Sequence, residues 1–312
     1  MRFFGAKRKP GWLCINLMPD RVDVSHVVVH GKVRPEVRLC DSYRKEGDEV
    51  ATLKRLRREL DLESYRCTTL LKAGDYQVLQ VDAPNVPAAE MKIAMRWRIK
   101  DLIDFPVEAA TVDAVIIPQG DNAAARGSQA LAIAARNEVI AATAKIFTDA
   151  RIPLEVIDIP ELAQRNVAHF FEEAGRGLAL LAFEAEGGLL TFTCDGELYQ
   201  YRRIDHSFAD FAEAGDEQRQ QIYERIVLEM QRSLDNFDRQ FRQVAISKVV
   251  VTPVPGAAGL QEYLASNLGV PVSTLDLSKV MDFPNTPELR EPVHQSQCLQ
   301  VIGASMRKEV AV

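Results

Sequence analysis

Short apolar runs separated by turn residues open the chain. Trp12 to Leu17 is one such run and ends at Pro19-Asp20. Val22, Val24 and Val27 to Val29 form a second, and Gly31-Lys32 leads into a third, Val33 to Leu39. Runs of this length bounded by Pro, Asp and Gly predict a three-strand meander. The period then changes. Over Glu49 to Leu60, Leu53, Leu56 and Leu60 share one helical face, while Lys54, Arg55, Arg57 and Arg58 cover the others. Cys67 to Leu71 and Tyr76 to Val81 return to strand spacing.

Pro84 and Pro87 interrupt this pattern and begin a new unit. Pro87 suits the first turn of a helix, where its missing N–H is not needed. The helix predicted over residues 88–105 carries Met91, Met95, Ile99 and Leu102 on one side and a basic stripe, Lys92, Arg96 and Lys100, on another. Pro106 is expected to stop it, because the residue before a proline avoids the α region. A strand from Thr111 to Ile117, a small-residue loop from Gly120 to Gly127, a strand from Gln129 to Ala135 and a helix from Asn137 to Ala150 follow. Leu154 to Ile159 reads as a strand returning to the first sheet, with a helix from Glu161 to Glu173 behind it.

Beyond Gly175 and Gly177 the opening pattern recurs. Leu178 to Phe183, Leu189 to Cys194 and Leu198 to Ile204 predict three strands, the last two joined by Asp195-Gly196, a strong hairpin signal. The longest helix, Asp216 to Phe241, aligns Ile222, Ile226, Met230, Leu234, Phe237 and Phe241 into one apolar stripe. A strand (Ser247 to Thr252), a helix (Gly259 to Leu268), a strand (Val270 to Leu275) and a closing helix (Gln297 to Lys308) complete the chain. Two halves that each open on three strands imply a two-lobed α/β plan with a cleft between the lobes.

Composition narrows what such a plan can do. The chain has 312 residues, 47% of them hydrophobic, enough for about two cored domains. A net charge of −6 argues against bulk attraction to nucleic acid or an anionic membrane. No apolar run approaches the roughly 18 residues of a membrane span, and the basic N-terminus lacks the apolar segment of a signal peptide. Cys14, Cys40, Cys67, Cys194 and Cys298 are odd in number and scattered, which fits free thiols in a reducing cytoplasm and no zinc site. His26, His30, His169, His206 and His294 show no ligand spacing, and no P-loop motif occurs.

Four segments carry a family resemblance. Arg96 to Glu108, running on to Asp113, looks like the inserted subdomain of the PilM and MshI proteins. Ala182 to Ile204 looks like the second phosphate-loop hairpin of actin-like ATPases. Glu229 to Asp235 looks like the long helix of the FtsA and PilM branch, and Val301 to Arg307 like its terminal helix. The chain thus resembles the MshI/PilM-like proteins of type IV (MSHA-type) pilus biogenesis, within the actin-like ATPase superfamily. The resemblance implies a two-lobed duplicated α/β fold with an inserted α/β subdomain in the first lobe. It divides the chain into a flexible basic tail (1–10), first-lobe core (11–83), inserted subdomain (84–151), returning first-lobe strand and helix (152–176), second lobe (177–293) and a C-terminal helix packing back on the first lobe (294–312). It further implies a cytoplasmic scaffold, peripheral at the inner membrane, that binds the cytoplasmic tail of a PilN-like membrane protein and communicates with the assembly motor ATPase. A homodimer is open.

Whether the site of this superfamily still serves a nucleotide can be weighed from loop chemistry. Actin-like proteins hold Mg-ATP between two hairpin turns, each with an Asp for the metal and small residues whose N–H groups cradle phosphate. In the first hairpin Asn16 stands where that Asp is expected, Pro19 has no N–H to give, and Asp20 completes the turn. In the second, Ala182 takes the Asp position and Glu184 the Gly position, with Glu186 nearby; Gly187 and Gly188 still suit a phosphate turn. Like charges at about 4 Å cost several kcal/mol at intermediate dielectric. The third loop, Thr252-Pro253-Val254-Pro255-Gly256, has prolines and a valine where glycines are expected. These departures predict a pseudo-ATPase without ATP or magnesium as a cofactor; the alternative is a Mg-ATP-dependent conformational switch of the same fold.

For partner binding the candidates are Met91, Lys92, Met95, Arg96, Trp97, Lys100 and Leu102 on the helix of residues 88–105. Trp and Arg are common interface anchors. Trp97 equally reads as a core residue of the insertion, with the basic stripe simply solvated. Ile15 to Pro19 is close to the Ile-Asn-Leu-Leu-Pro tail motif of PilN-like partners, but an apolar run ending in Pro-Asp reads first as a buried strand.

Overall fold

The computed structural model describes residues 8–31, 33–118 and 128–307. The predicted small-residue loop Gly120 to Gly127, the basic stretch up to Lys7 and the predicted helix end at Lys308 lie outside them.

The first sheet is built from β1 (Trp12–Leu17), β2 (Arg21–Val28), β3 (Glu36–Arg44), β4 (Arg66–Leu70) and a strand from Leu154 to Asp158. Its spatial order is the third, second, first and fourth strands and then Leu154–Asp158. The meander β1–β2–β3 is antiparallel, and the two remaining strands join in parallel. Between β3 and β4 runs α1 (Glu49–Leu60), started by Asp48, whose carboxylate accepts from Ala51 N at 2.7 Å, and ended by Asp61 at φ 55°. Period-two alternation along β1 sends Leu13, Ile15 and Leu17 toward α1, while Cys14 faces the opposite layer.

An insertion leaves the first lobe after β4. Its sheet consists of β5 (Tyr76–Asp82), β6 (Ala110–Ile117) and β7 (Gln129–Arg136), antiparallel in the order β5-β7-β6. This corrects the boundary at residues 83/84: Tyr76–Asp82 pairs with β7 and not with the first-lobe sheet. Apolar spacing identifies a strand but not its neighbour. One helix, α2 (Met91–Ile99), covers the insertion sheet through Met95 and Ile99. The next, α3 (Asn137–Ala150), instead buries Phe147 and Ala150 with Leu53 and Leu56 of α1. It therefore belongs to the first-lobe core, although sequence reading placed it in the insertion. The chain then forms β8 (Leu154–Asp158) and α4 (Pro160–Ala168), with Pro160 in the first turn.

The second lobe repeats the plan. β9 (Gly177–Glu184), β10 (Gly187–Cys194), β11 (Glu197–Ile204), β12 (Ile246–Val251) and β13 (Val272–Thr274) lie in the order β11-β10-β9-β12-β13, with an antiparallel meander and two parallel additions. This is the order and sense of the first sheet, so the duplication is visible in the topology. Asp195 (φ 51°) and Gly196 (φ 78°) both adopt the positive φ that a tight hairpin needs. A short α5 (Phe208–Glu213) opens on a capping box in which Ser207 N and Oγ donate to Asp210. The long α6 (Asp216–Gln240) lays Ile222, Ile226, Met230 and Phe237 on the sheet, with Phe237 stacked on Phe192 at 4.9 Å. α7 (Leu260–Asn267) and α8 (Pro292–Ser305) follow.

The two sheets face each other across α4 and α8. One buried cluster joins Cys14, Val27 and Val37 of the first sheet, Leu178, Leu180 and Val250 of the second, and Ala163, Leu299 and Ile302 of the two helices. Their crossing is close because Gly303 has no side chain: a Cβ there would stand 2.1 Å from the Ala163 carbonyl oxygen.

Candidate functional site

The first two of the three predicted nucleotide loops meet at one interlobe cavity of about 180 Å³, whose lining includes Asn16, Met18, Glu184, Glu186 and Gln300. That is below the roughly 300–1,000 Å³ of small-molecule sites. The third loop lies apart, where Thr252, Pro253, Val254 and Gly256 border a separate open cavity against the start of α7.

Each loop commits its polar groups internally. In the β1–β2 turn, Met18 N donates to Arg21 O at 3.0 Å and leaves Pro19 and Asp20 exposed at the tip. Asn16 Nδ2 turns onto Met18 Sδ at 3.3 Å. In the β9–β10 hairpin, Glu184 pairs with Gly187 around a turn of Ala185 and Glu186. Glu186 Oε2 accepts from Ala73 N at 3.2 Å, across the cleft on the first lobe. Gly188 is pressed between Phe183 and Ile204, with Phe183 Cε1 2.9 Å from where a Cβ would be. It serves packing at that point. Ala182 is buried in the interlobe cluster. Thr252 is buried as well; its N–H donates to Leu181 O at 2.9 Å and its Oγ1 accepts from Phe183 N at 3.3 Å. Gly256 adopts φ +79°, where a Cβ would stand 2.8 Å from Phe211 O, so α5 closes over this loop.

Charge in the cavity is acidic at its centre. Burial pushes the Glu184 carboxyl up to about 7, helped by Glu186 and Glu161 and opposed by Arg203 and Gln300. Behind it lies a network absent from the sequence reading. Arg203 of β11 donates to Glu161 Oε1 at 2.7 Å and to Tyr76 Oη at 2.8 Å, and Tyr76 donates to Glu161 Oε2 at 2.5 Å. The network ties second lobe, first lobe and insertion in one knot around Glu161, which is 1% exposed. Burial, then the Glu161 charge, drives the Tyr76 hydroxyl far above its usual range. Tyr201 Oη donating to Val78 O at 3.0 Å, and Ile117 and Leu131 in the second-lobe core, bind the insertion further to the second lobe.

The predicted partner helix is shorter than the reading of 88–105. Residues 88–90 form a 3₁₀ turn, α2 ends at Ile99, and Leu102 N closes a tight turn on Ile99 O at 2.9 Å. The turn lets Phe105 bury beneath Arg136, so Pro106 does not set the end. Met95 is wholly buried and Met91 partly so; both face the insertion sheet and not a partner. Lys92 pairs with Asp113 at 2.9 Å, and Arg96 donates to Val107 O at 2.8 Å. Lys100 is exposed. Trp97 stands outside the insertion core at 68% exposed, with Ile93 at 65% and Leu102 at 57% beside it in sequence. Ile93 was missed, although it precedes Trp97 by one helical turn and lies off the Met91–Met95–Ile99 face. Ile15 and Leu17 are buried in β1, so this stretch presents no tail-like motif. Among the described residues no cluster of three His, Cys, Asp or Glu side chains could hold a metal ion, and no helix is long and apolar enough to cross a membrane.

No family model and no curated protein matches this sequence. Solved structures do. A chain of a PilM-PilN type IV pilus biogenesis complex is 19% identical over 95% of this chain and 98% of that one, with a TM-score of 0.73. A Bacteroides thetaiotaomicron protein with an actin-like ATPase fold and unknown function is 9% identical, over 90% and 95%, with a TM-score of 0.50. The cytoplasmic domain of EpsL, an inner-membrane component of the Vibrio cholerae type II secretion system, is 13% identical, over 95% and 93%, with a TM-score of 0.47. The chain has the actin-like ATPase fold, two-lobed and duplicated, as the resemblance implied.

Proposed function

We propose that this chain is a cytoplasmic scaffold of a type IV, MSHA-like pilus assembly platform, an MshI/PilM-like pseudo-ATPase that binds the cytoplasmic tail of a PilN-like inner-membrane protein. The observation that carries the pilus assignment is the near full-length likeness to a chain of a PilM-PilN type IV pilus biogenesis complex. Two features of this chain support the binding role. The outer face of α2 presents Ile93 and Trp97 to solvent at helical spacing, with exposed Arg98 and Lys100 beside them. Exposed large aromatics flanked by cations are typical anchors of protein interfaces. The nucleotide loops supply little for a triphosphate: Glu184 and Glu186 meet at the cavity, and Thr252 N, Phe183 N and Met18 N are already donating within the protein. The protein then sits at the inner membrane through its partner and passes contact to the assembly motor ATPase.

Titration of the protein with a synthetic cytoplasmic tail of the PilN-like protein encoded beside it tests the reading. Saturable binding that weakens in Trp97→Ala is the expected result; no binding by any such tail would remove the assignment. Thermal unfolding with millimolar Mg-ATP tests the nucleotide loops. A ligand at about 100 times its Kd adds about 2.7 kcal/mol, so a clear upward shift would favour a nucleotide-driven switch.

A further inference from the structure

Two cysteines distant in the chain meet where α8 lies on the first sheet. Cys40 of β3 belongs to the same buried layer as Cys14 and Val37, and Cys298 of α8 packs against that layer. The two thiols are in hydrogen-bonding reach of each other. Cys14, Cys40, Cys67 and Cys194 are buried, and Cys298 alone is partly exposed. The hydrogen bond to Cys298, and then burial, hold the Cys40 thiol well above its usual range, so Cys40 keeps its proton. An oxidant from solvent therefore meets Cys298 first, and Cys40 stands sheltered behind it.

The other cysteines do not compete for this pairing. Cys67 faces α1, and Cys194 lies in the second-lobe core. In the first sheet, Ser25 of β2 stands between Cys14 and Cys40, opposite both. Two strand spacings separate those cysteines by about 10 Å. Cys14 N donates to Ser305 Oγ at 3.2 Å, which places Cys14 two helical turns, about 10 Å, along α8 from Cys298. A disulfide spans at most about 7 Å between Cα atoms. The same stretch of α8 is anchored on the second lobe. Ser296 Oγ donates to Pro253 O at 2.6 Å, and Gln295 Oε1 accepts from Leu277 N at 2.7 Å. A covalent bond from Cys298 to β3 would join the first-lobe sheet to a helix already held by second-lobe loops.

We propose that Cys298 and Cys40 form a peroxide-responsive thiol pair, in which Cys298 is oxidised and Cys40 resolves it to a disulfide that clamps α8 to β3. The Cys298 sulfur attacks one oxygen of hydrogen peroxide. The O–O bond breaks, the thiol proton leaves with the departing oxygen as water, and a sulfenic acid remains. The Cys40 sulfur then attacks the Cys298 sulfur. The S–S bond forms, the S–O bond breaks, and the Cys40 proton departs with the hydroxyl as a second water. Two thiols give up two electrons, and the peroxide takes both. In a reducing compartment such a bond is transient and serves as a sensor. The pair does not depend on the pilus assignment.

Mass spectrometry of the full chain tests the proposal. The protein is treated with a small molar excess of hydrogen peroxide, its remaining thiols are blocked with N-ethylmaleimide under denaturation, and it is digested without reduction. A peptide linking Cys40 to Cys298, released by dithiothreitol, is expected, with three blocked cysteines in place of five. Cys298→Ser, a change at a partly exposed site, should leave its four cysteines blocked and form no link. Cys40→Ala should stop at a sulfenic acid on Cys298, captured by dimedone. The bridged protein should melt at a higher temperature than the reduced one and return on reduction. Five thiols that survive peroxide, a link to another cysteine, oxidation of Cys298 beyond the sulfenic acid without a link, or a bridged protein that melts no higher overturns the proposal.

Discussion

Replacing Gly303 by alanine should destabilise the protein although it improves the helix in which it stands. Alanine exceeds glycine by about 1 kcal/mol inside a helix, so local propensity alone predicts a gain. Geometry decides otherwise. The new Cβ would lie 2.1 Å from Ala163 O, 2.6 Å from Ala163 C and 3.2 Å from Ala163 Cα. Carbon-to-oxygen contacts begin at about 3.3 Å, so α4 and α8 must part by about 1.2 Å, and the obstacle is backbone, which cannot rotate away. Both helices lie between the two sheets, in the cluster of Cys14, Leu178 and Ile302, and a close-packed layer does not yield freely. Overpacking of this kind costs about 1–3 kcal/mol or more. The same shift stretches the bond from Asn166 Nδ2 to Gly303 O, now 2.9 Å, whose loss adds about 1 kcal/mol. The net is about 1–3 kcal/mol of destabilisation. Urea denaturation followed by circular dichroism measures it, with Gly269→Ala as reference, since a Cβ at Gly269 meets nothing within 4 Å. A Gly303→Ala midpoint equal to or above that of the unaltered protein would refute the helix-crossing account.

Arg203→Ala removes the cation beside Glu161, which is 1% exposed, and should cost about 3 kcal/mol, the low end for a broken buried pair because the Arg203 side chain is 35% exposed; adding Glu161→Gln should restore part of it in the same denaturation assay. Trp97→Ala and Ile93→Ala remove exposed side chains and should change stability by no more than about 0.5 kcal/mol, yet weaken binding of the partner tail about tenfold or more, read by fluorescence anisotropy. Glu184 holds its proton to about 7 against 4.5 for a free side chain, so folding takes up a proton between these values and stability falls as pH rises through them. Glu184→Gln should abolish that slope, and its stability relative to the unaltered chain should rise from pH 5 to pH 7.5 in thermal melts; parallel profiles for the two proteins would show that Glu184 is not buried as described.

Strongly periodic stretches were legible. α1 and α3 have the bounds that Leu53, Leu56 and the Asn137 start predicted, and both meanders form, although the third strand of the first runs Glu36–Arg44 and not Val33 to Leu39. What escaped the sequence depends on neighbours distant in the chain. Tyr76–Asp82 looks like a strand wherever it pairs, and only the register with Gln129–Arg136 assigns it to the insertion. The start of α8 at Pro292, five residues before the predicted Gln297, is set by a proline that fits the first helical turn. Ser207 and Asp210 form a recognisable cap, yet α5 behind them is too short to show an apolar period. For the site, the odd placement of Glu184 was readable in a glycine's position. Its link to Gln300 was not, and neither was the Tyr76–Glu161–Arg203 knot, whose members come from three parts of the chain. On α2, Lys92 and Lys100 of the basic stripe are exposed while Arg96 turns onto Val107 O, Met95 on the predicted apolar edge is core, and Ile93 and Trp97 stand outside it.

A ligand moves two lobes only through interactions that differ between their arrangements. In a nucleotide-driven member of this fold the bridge between lobes would be the bound triphosphate and its metal. Here side chains span the same gap. Glu186 reaches Ala73, Arg203 reaches Glu161 and Tyr76, Arg307 pairs with Asp158, and Gly303 lets α8 lie directly on α4. These contacts join the lobes through the protein's own side chains and helices. Rigid lobes of this kind hold the outer face of α2 at a fixed angle to the rest of the molecule, which is what a docking surface requires. Freeing the lobes should therefore reduce tail affinity even when α2 is untouched. Arg203→Ala gives that test, because Arg203 makes its contacts with Glu161 and Tyr76, on elements other than α2. Measured well below its melting temperature, this variant should bind the tail more weakly than the unaltered protein; undiminished affinity would separate the docking face from the interlobe knot.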